Sequence, residues 1–351
     1  MQNKVLFEQF KALAKITTED KNFAVIPIMD TNHKLGISKE GYPKFFVCTN
    51  DTVSSIPNTT LDILSVEYNL SCTFVDDNDT KTPHHYTILT LRSVDQILQE
   101  DFFDIVIMMF DRMPEIPSKR EIAIEVENLI SIFSAMTCPP RKKIQGLWTE
   151  LLVIEQSYMP EVLIKAWHES PTAKYDFSMG RDKVEVKSTS SETRIHHFSL
   201  DQLCPSAHSR VVVASAIVRE SAQSKDGLSV RDLYDKICSR VNSVDARMHM
   251  MRVIAETIGT DMHRLNEVFF DYVEACDTLR YYDSKDVPGV DKDGVHPGVT
   301  GVGFNSNLSG ILDIQSPDSE FKRGESPLYK SLFNPNRSLE IRHVYFSNDR
   351  H

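Results

Sequence analysis

The sequence has 351 residues, 41% of them hydrophobic and 25% charged, with a formal net charge of −11. This composition excludes wholesale disorder, and the length predicts two domains or one large domain with an appendage. The acidic balance excludes a protein that coats nucleic acid with its whole surface, because phosphate binding depends on local Lys and Arg density. Residues 141–200 nevertheless hold nine basic against eight acidic residues, which leaves −12 for the rest of the chain.

Strand-like apolar or alternating runs occupy 23–27, 45–48, 63–74 and 86–92, with Asn, Asp, Gly and Pro between them. The run Val75 Asp76 Asp77 Asn78 Asp79 reads as an acidic hairpin tip, since it lacks the glycine and distal glutamate of a calcium loop. Helical periodicity follows over 93–112 and 119–136, the second with apolar residues at Ile122, Ile124, Val126, Leu129, Ile132 and Phe133. The tract Cys138 Pro139 Pro140 Arg141 Lys142 Lys143 breaks helix and introduces charge, so a domain boundary is placed at 140. The expected organisation is a strand-rich N-terminal domain with two helices over 1–140, for docking or positioning DNA. A second domain over 141–351 follows, with a loop-rich extension.

Beyond the boundary the pattern predicts a helix over 144–159, a helix or loop through Trp167, and strands at 175–179 and 183–188. A short helix opens at Ser199, a strongly apolar strand spans 210–218, and helices cover 229–241 and 245–258. This order describes an α/β (α+β) domain with a mixed sheet flanked by helices. Residues 286–307 are glycine-rich without periodicity and read as a long loop, and Gly301 and Gly303 do not make a phosphate-binding fingerprint.

The six cysteines are scattered, with no CxxC pair and no histidine at ligand spacing, which excludes a zinc knuckle and a disulfide framework. Charges interrupt the N-terminal residues every few positions, unlike a signal peptide, and the most apolar segment, 102–110, contains Asp104 and is too short to cross a bilayer. A cytoplasmic protein with no membrane span is expected.

The stretch from Tyr175 to Ser188 has the form of a hairpin turning at Gly180. Alternation puts Lys183, Glu185 and Lys187 on one face and Val184 and Val186 on the other, while Asp176 opens the partner strand nine residues before Glu185. Two carboxylates brought together need a shared proton or a divalent cation between them. Magnesium fits, as a hard ion that takes one or two carboxylates and completes its shell with water and phosphate oxygens. Lys187 beside it is placed to orient a water and offset charge on a phosphorane, and phosphodiester hydrolysis uses all of these parts. The bland alternative is a surface hairpin carrying a Glu and Lys two residues apart.

Flanking segments add context. In Gly146–Gln156 the residues Leu147, Leu151 and Ile154, with Tyr158 beyond, form an apolar stripe, and Glu150 and Glu155 lie at its two edges, so the wheel does not choose between them. After the hairpin, Arg194, His196 and His197 either contact phosphates beside the metal or form a solvated turn. Ser199 and Gln202 have capping-box spacing, which favours a structural role for Gln202 over a catalytic one.

Taken in order, GLWTELLVIEQ, KYDFSMGRDKVEVKSTSS and RIHHFSLDQL resemble the bacterial PD-(D/E)XK motif protein family, most firmly between residues 146 and 203. The resemblance implies a restriction-endonuclease-like fold and a Mg²⁺-dependent DNA endonuclease, with Mn²⁺ able to substitute, in restriction or anti-phage defence clusters beside methyltransferase or ATPase partners. It carries over Asp176 and Glu185 as metal ligands with the Val186 carbonyl, Lys187 as the lysine, and Glu150 as an auxiliary acid or second-metal ligand. Lys183, Arg194, His196 and His197 become candidate DNA contacts. Thr149 stands where the family has glycine and Tyr175 where the label has proline. A homo-oligomer is left open. The competing reading is a catalytically silent scaffold or DNA-binding subunit of a multi-protein complex, and a small-phosphoester hydrolase is a third.

Overall fold

The computed structural model describes residues 2–13, 24–28, 30–49, 56–75, 81–168, 173–205, 208–222, 227–314 and 326–332. The chain divides into two compact units, Met1–Thr137 and Cys138–His351. The acidic run at 75–79 lies outside the described residues from Asp76 onward.

In the first unit, helix α1 (Gln2–Leu13) precedes an antiparallel sheet of β1 (Val25–Pro27), β2 (Lys34–Ile37), β3 (Pro43–Cys48), β4 (Thr59–Thr60), β5 (Leu64–Val75) and β6 (Lys81–Leu91). Its spatial order is β1-β2-β3-β6-β5-β4. Helices α2 (Gln96–Arg112) and α3 (Lys119–Ala135) follow, α2 capped by Asp95 and α3 by a Ser118/Glu121 capping box. Phe45 of β3 meets Phe102 and Phe103 of α2, and Phe7 of α1 stacks edge-on against Phe103. The β5–β6 register slips between Glu67 and Leu70, where Asn69 takes a φ of 58°, a bulge that bends the pair.

The second unit begins with α4 (Ile144–Gln156) and α5 (Pro160–Ala166). Then come β7 (Phe177–Met179), β8 (Asp182–Thr189), β9 (Ile195–Ser199), α6 (Leu200–Leu203), β10 (Arg210–Ile217) and β11 (Gly227–Ser229). Helices α7 (Val230–Cys238) and α8 (Val244–Ile258), β12 (Phe269–Asp271), α9 (Tyr272–Thr278), β13 (Arg280–Asp283), β14 (Gly303–Asn307) and α10 (Pro327–Leu332) complete it. The sheet order is β13-β10-β8-β7, with β8 and β10 parallel and the outer pairs antiparallel, so the sheet is mixed. Parallel neighbours require a crossover, and β9 with α6 supplies it.

Helix α4 is apolar on nearly every side and is buried throughout its middle, as a helix enclosed by other elements must be. Leu147, Leu151 and Ile154 are buried as the stripe predicts, but the helix stops at Gln156 and Tyr158 beyond it is exposed. Trp148 donates its indole N–H to Leu228 O at 2.8 Å and packs against Phe270.

The expectation of a structureless loop over 286–307 is corrected at its end, where β14 pairs antiparallel with β9 from Gly303↔Ser199 to Asn307↔Ile195. Phe198, Leu203, Val213, Tyr282, Val287 and Leu308 form one buried cluster with Phe304 packed against it. Neither strand has a local partner, and so no hairpin signal marks them. α10 is anchored by Tyr329, whose hydroxyl donates to Arg210 O at 2.6 Å and accepts from Lys183 N at 3.3 Å. Ser331 O also accepts from Tyr158 N and Ser157 Oγ.

Candidate metal centre

The β7–β8 hairpin turns through Gly180, whose φ of 57° is open to glycine and costly for most other residues. The register pairs Phe177 with Val184 and Met179 with Asp182, so β7 ends before it reaches Val186. Asp176 takes over there: its Oδ2 accepts from Val186 N at 2.8 Å. One carboxylate thus completes the ladder and leaves its second oxygen, Oδ1, for chemistry.

Glu185 is buried in β8. Its Oε1 accepts from Gln202 Nε2 at 2.7 Å and pairs with Lys187 Nζ at 2.8 Å, while Oε2 is buried with no hydrogen-bond partner. Burial first, and then the neighbouring Asp176 carboxylate, push Glu185 up to about 8 against the pull of Lys187. Burial and Glu150 likewise raise Asp176. An orphaned buried carboxylate oxygen next to a second buried carboxylate is what a cation site presents when no cation is there to satisfy it. The residues present therefore fit a divalent ion.

Gln202 performs both of the roles that the sequence set against each other. The Ser199/Gln202 capping box is formed, and the same amide donates to Glu185. Lys187 lies over the Phe198 ring at 5.0 Å, so its ammonium is steered from below by an aromatic face.

Glu150, on α4, is buried, not an exposed helical glutamate, and it faces the hairpin. Its Oε1 accepts from Lys142 Nζ at 2.7 Å, and its Oε2 accepts from Trp167 Nε1 at 2.7 Å and lies 2.8 Å from His168 Nε2. Burial raises its pKa, but the His168 hydrogen bond and the Lys142 charge outweigh burial and hold Glu150 down to about 2. Glu155, at the opposite edge of the wheel, is also buried, with Oε2 engaged by Tyr272 and Gln156.

Lys142 and His168, which no sequence motif marks, also belong to the centre. Lys142 Nζ also reaches Asp176 Oδ1 at 2.6 Å. Burial opposes its charge, but Glu150 and Asp176 overcome that and raise its pKa. Ligand atoms of Glu150, His168 and Asp176 all lie within 4.8 Å of one another. The tract that contains Lys142 reads as a boundary, and His168 follows an indistinct helix, so no spacing rule marks either.

The candidate DNA contacts separate by the alternation of β9. Arg194, just ahead of it, is buried, donating to Ser215 O and Oγ at 2.8 and 2.9 Å and to Thr278 O. His196 Nε2 lies 2.8 Å from Ser215 Oγ, and burial lowers its pKa to about 4. Neither side chain faces solvent, which corrects both expectations for these two residues, the phosphate contact and the solvated turn. His197 is exposed beside Asn305, and Lys183 is half-buried.

Among the described residues no helix is long and apolar enough to cross a membrane. Residues 7–309 match the family described as "Putative PD-(D/E)XK family member, (DUF4420)". No curated protein and no solved structure matches the chain.

Proposed function

Since the chain belongs to that PD-(D/E)XK family and carries its nuclease-like mixed α/β fold, we propose that it is a divalent-metal-dependent DNA endonuclease. The observation that carries the reading is the buried, partnerless Oε2 of Glu185 beside Asp176.

Asp176, Glu185 and the Val186 carbonyl would hold the metal, with Mg²⁺ the natural ion for an oxygen set and Mn²⁺ its substitute. When bound, such an ion polarises a phosphodiester and lowers the pKa of a coordinated water. The chain's own groups do the rest. Gln202 fixes Glu185 through Oε1 and leaves Oε2 free. Lys187, tethered by Glu185 and seated on Phe198, places an ammonium where it orients the attacking water and offsets charge on the phosphorane. Glu150, a buried carboxylate on the helix side, serves as an auxiliary acidic residue or second-metal ligand. Lys183 and exposed His197 are the remaining candidate contacts to the DNA backbone.

A charge of −12 outside residues 141–200 supports a subunit that receives DNA from partners, in a restriction or anti-phage defence assembly with methyltransferase or ATPase components. Purified protein, alone and with such partners, is expected to nick plasmid DNA with Mg²⁺ or Mn²⁺ and to leave 5′-phosphate ends. Cleavage that persists in Asp176→Ala would overturn the proposal. No cleavage under either condition, with metal binding intact, would favour a silent scaffold.

A further inference from the structure

Arg141, Lys142 and Lys143 are the only run of three basic residues in a chain of net charge −11. All three are exposed, and they stand near the opening of the second unit. The centre itself gathers three buried carboxylates, Glu150, Asp176 and Glu185. A phosphodiester brought over those acids is repelled by them, so its neighbouring phosphates need cations close by.

The backbone of the tract is fixed before any ligand arrives. Pro139 and Pro140 restrict φ ahead of it. Cys138 O accepts from Thr260 N at 2.9 Å, Arg141 N donates to Thr257 O at 2.8 Å, and Lys143 O accepts from Gly146 N at 3.0 Å. The tract is thereby held between the end of α8 and the first turn of α4, and a ligand has only side chains left to order.

Lys142 sets the distance from the tract to the chemistry. Its Nζ lies 2.6 Å from Asp176 Oδ1 and 2.7 Å from Glu150 Oε1, so its charge is engaged by those carboxylates. Arg141 and Lys143 stand one Cα step of about 3.8 Å to either side of it. Among the described residues neither of them forms an ion pair. Each strand of duplex DNA presents one charge about every 3.4 Å of axis, so two cations flanking a residue that touches the centre meet phosphates next to the one being cleaved.

We propose that Arg141 and Lys143 form a phosphate clamp on the rim of the centre, which seats the backbone of duplex DNA beside the scissile phosphate. The clamp reads charge and not sequence. The inference rests on reading the centre as a DNA nuclease, and it adds the surface that holds the substrate there.

Fluorescence anisotropy of metal-stripped full-length protein with labelled duplexes of unrelated sequence, in EDTA and over a series of salt concentrations, measures binding apart from cleavage. Arg141→Gln/Lys143→Gln is expected to flatten the slope of log affinity against log salt by about 1.8. Binding in about 0.1 M salt is expected to weaken at least about tenfold, equally for every duplex. Arg141→Lys/Lys143→Arg keeps both charges and is expected to retain the wild-type slope. Lys330→Gln, at an exposed lysine of α10 outside the tract, is expected to do the same.

An unchanged slope in Arg141→Gln/Lys143→Gln, a loss confined to some duplexes, an equal loss in Lys330→Gln, or no binding by the wild type at the lowest salt would each overturn the proposal. Should the double variant fail to fold, the two single variants decide, each expected to lower the slope by about 0.9. Plasmid nicking by the wild type with Mg²⁺, scored separately, distinguishes the two claims. Binding with the expected slopes but no nicking counts against the nuclease reading and leaves the clamp. Nicking by the wild type, with an unchanged slope in the double variant, does the reverse.

Discussion

Lys142 Nζ stands 2.6 Å from Asp176 Oδ1 although 34 residues separate them, and that ion pair joins the segment ahead of α4 to the hairpin that carries the site. It also balances two buried carboxylates with one ammonium. Lys142→Met removes the balance, and for a partly exposed lysine facing buried acids a loss of about 2 kcal/mol is expected in metal-free protein. Urea unfolding in EDTA measures it. An unchanged midpoint in EDTA would show that the pair contributes nothing.

Glu185 gives metal-free protein a pH dependence of known sign. Its pKa rises from 4.5 to about 8 on folding. Below pH 4.5 the carboxyl is protonated in both states; between 4.5 and 8 the unfolded chain ionises while the folded one keeps its proton. Stability from this group is therefore present at low pH and lost as pH rises through 8, by at most about 5 kcal/mol. Glu185→Gln is expected to flatten that slope in urea midpoints taken between pH 5 and 8.5 in EDTA.

His33 acts in the opposite direction. Burial, and then Lys34, lower its pKa to about 4, and its Nδ1 accepts from Cys48 N at 3.0 Å, a bond that requires a neutral ring. The stability it contributes is present above 6.5 and is lost as pH falls towards 4, by about 3 kcal/mol if no other group compensates. Amide exchange at Cys48 is expected to accelerate over that window. Constant protection of that amide from pH 7 to 4 would contradict the assignment.

Lys187 and Gln202 are expected to differ in what they lose. Lys187→Met leaves the fold intact and lowers cleavage by about a hundredfold to ten-thousandfold, with a small change in metal affinity. Gln202→Ala removes a capping partner, at a cost of about 1 kcal/mol, and also frees Glu185 to move, so metal affinity and melting temperature fall together. Calorimetry with Mn²⁺ alongside thermal melting separates the two. Equal effects of both variants on metal binding would refute this division.

Gly259 closes α8 with a φ of 47°, and a Cβ there would lie 1.9 Å from Cys138 O. Thr260 N donates to the same carbonyl at 2.9 Å. Gly259→Ala cannot be relieved by moving a side chain, because the obstacle is backbone, and a loss above about 3 kcal/mol is expected in thermal or urea unfolding.

What the sequence revealed of the centre follows from range. Asp176, Glu185 and Lys187 lie on one hairpin, where the two-residue period of a strand is enough to place them together. Glu150 needs tertiary information, because Glu155 shares the edge geometry of α4, and the contacts of Lys142, Trp167 and His168 distinguish it. Lys142 and His168 escaped because each is brought in by chain reversal and not by period. Arg194 and His196 were misplaced for a different reason. A short, polar β9 gives little amphipathic contrast, so its inward positions carry an arginine and a histidine whose partner, Ser215, sits on another strand. β14 carries no strand signal of its own because its pairing partner lies about a hundred residues upstream.

The hydroxyl of Tyr329 binds the backbone of Lys183, 146 residues earlier, at the start of the strand that carries Glu185 and Lys187. On the ribosome, the strand bearing the chemistry emerges long before the tyrosine that completes its hydrogen bonding. A nascent chain thus holds the acids and the lysine without the clasp that fixes their strand until Tyr329 has emerged.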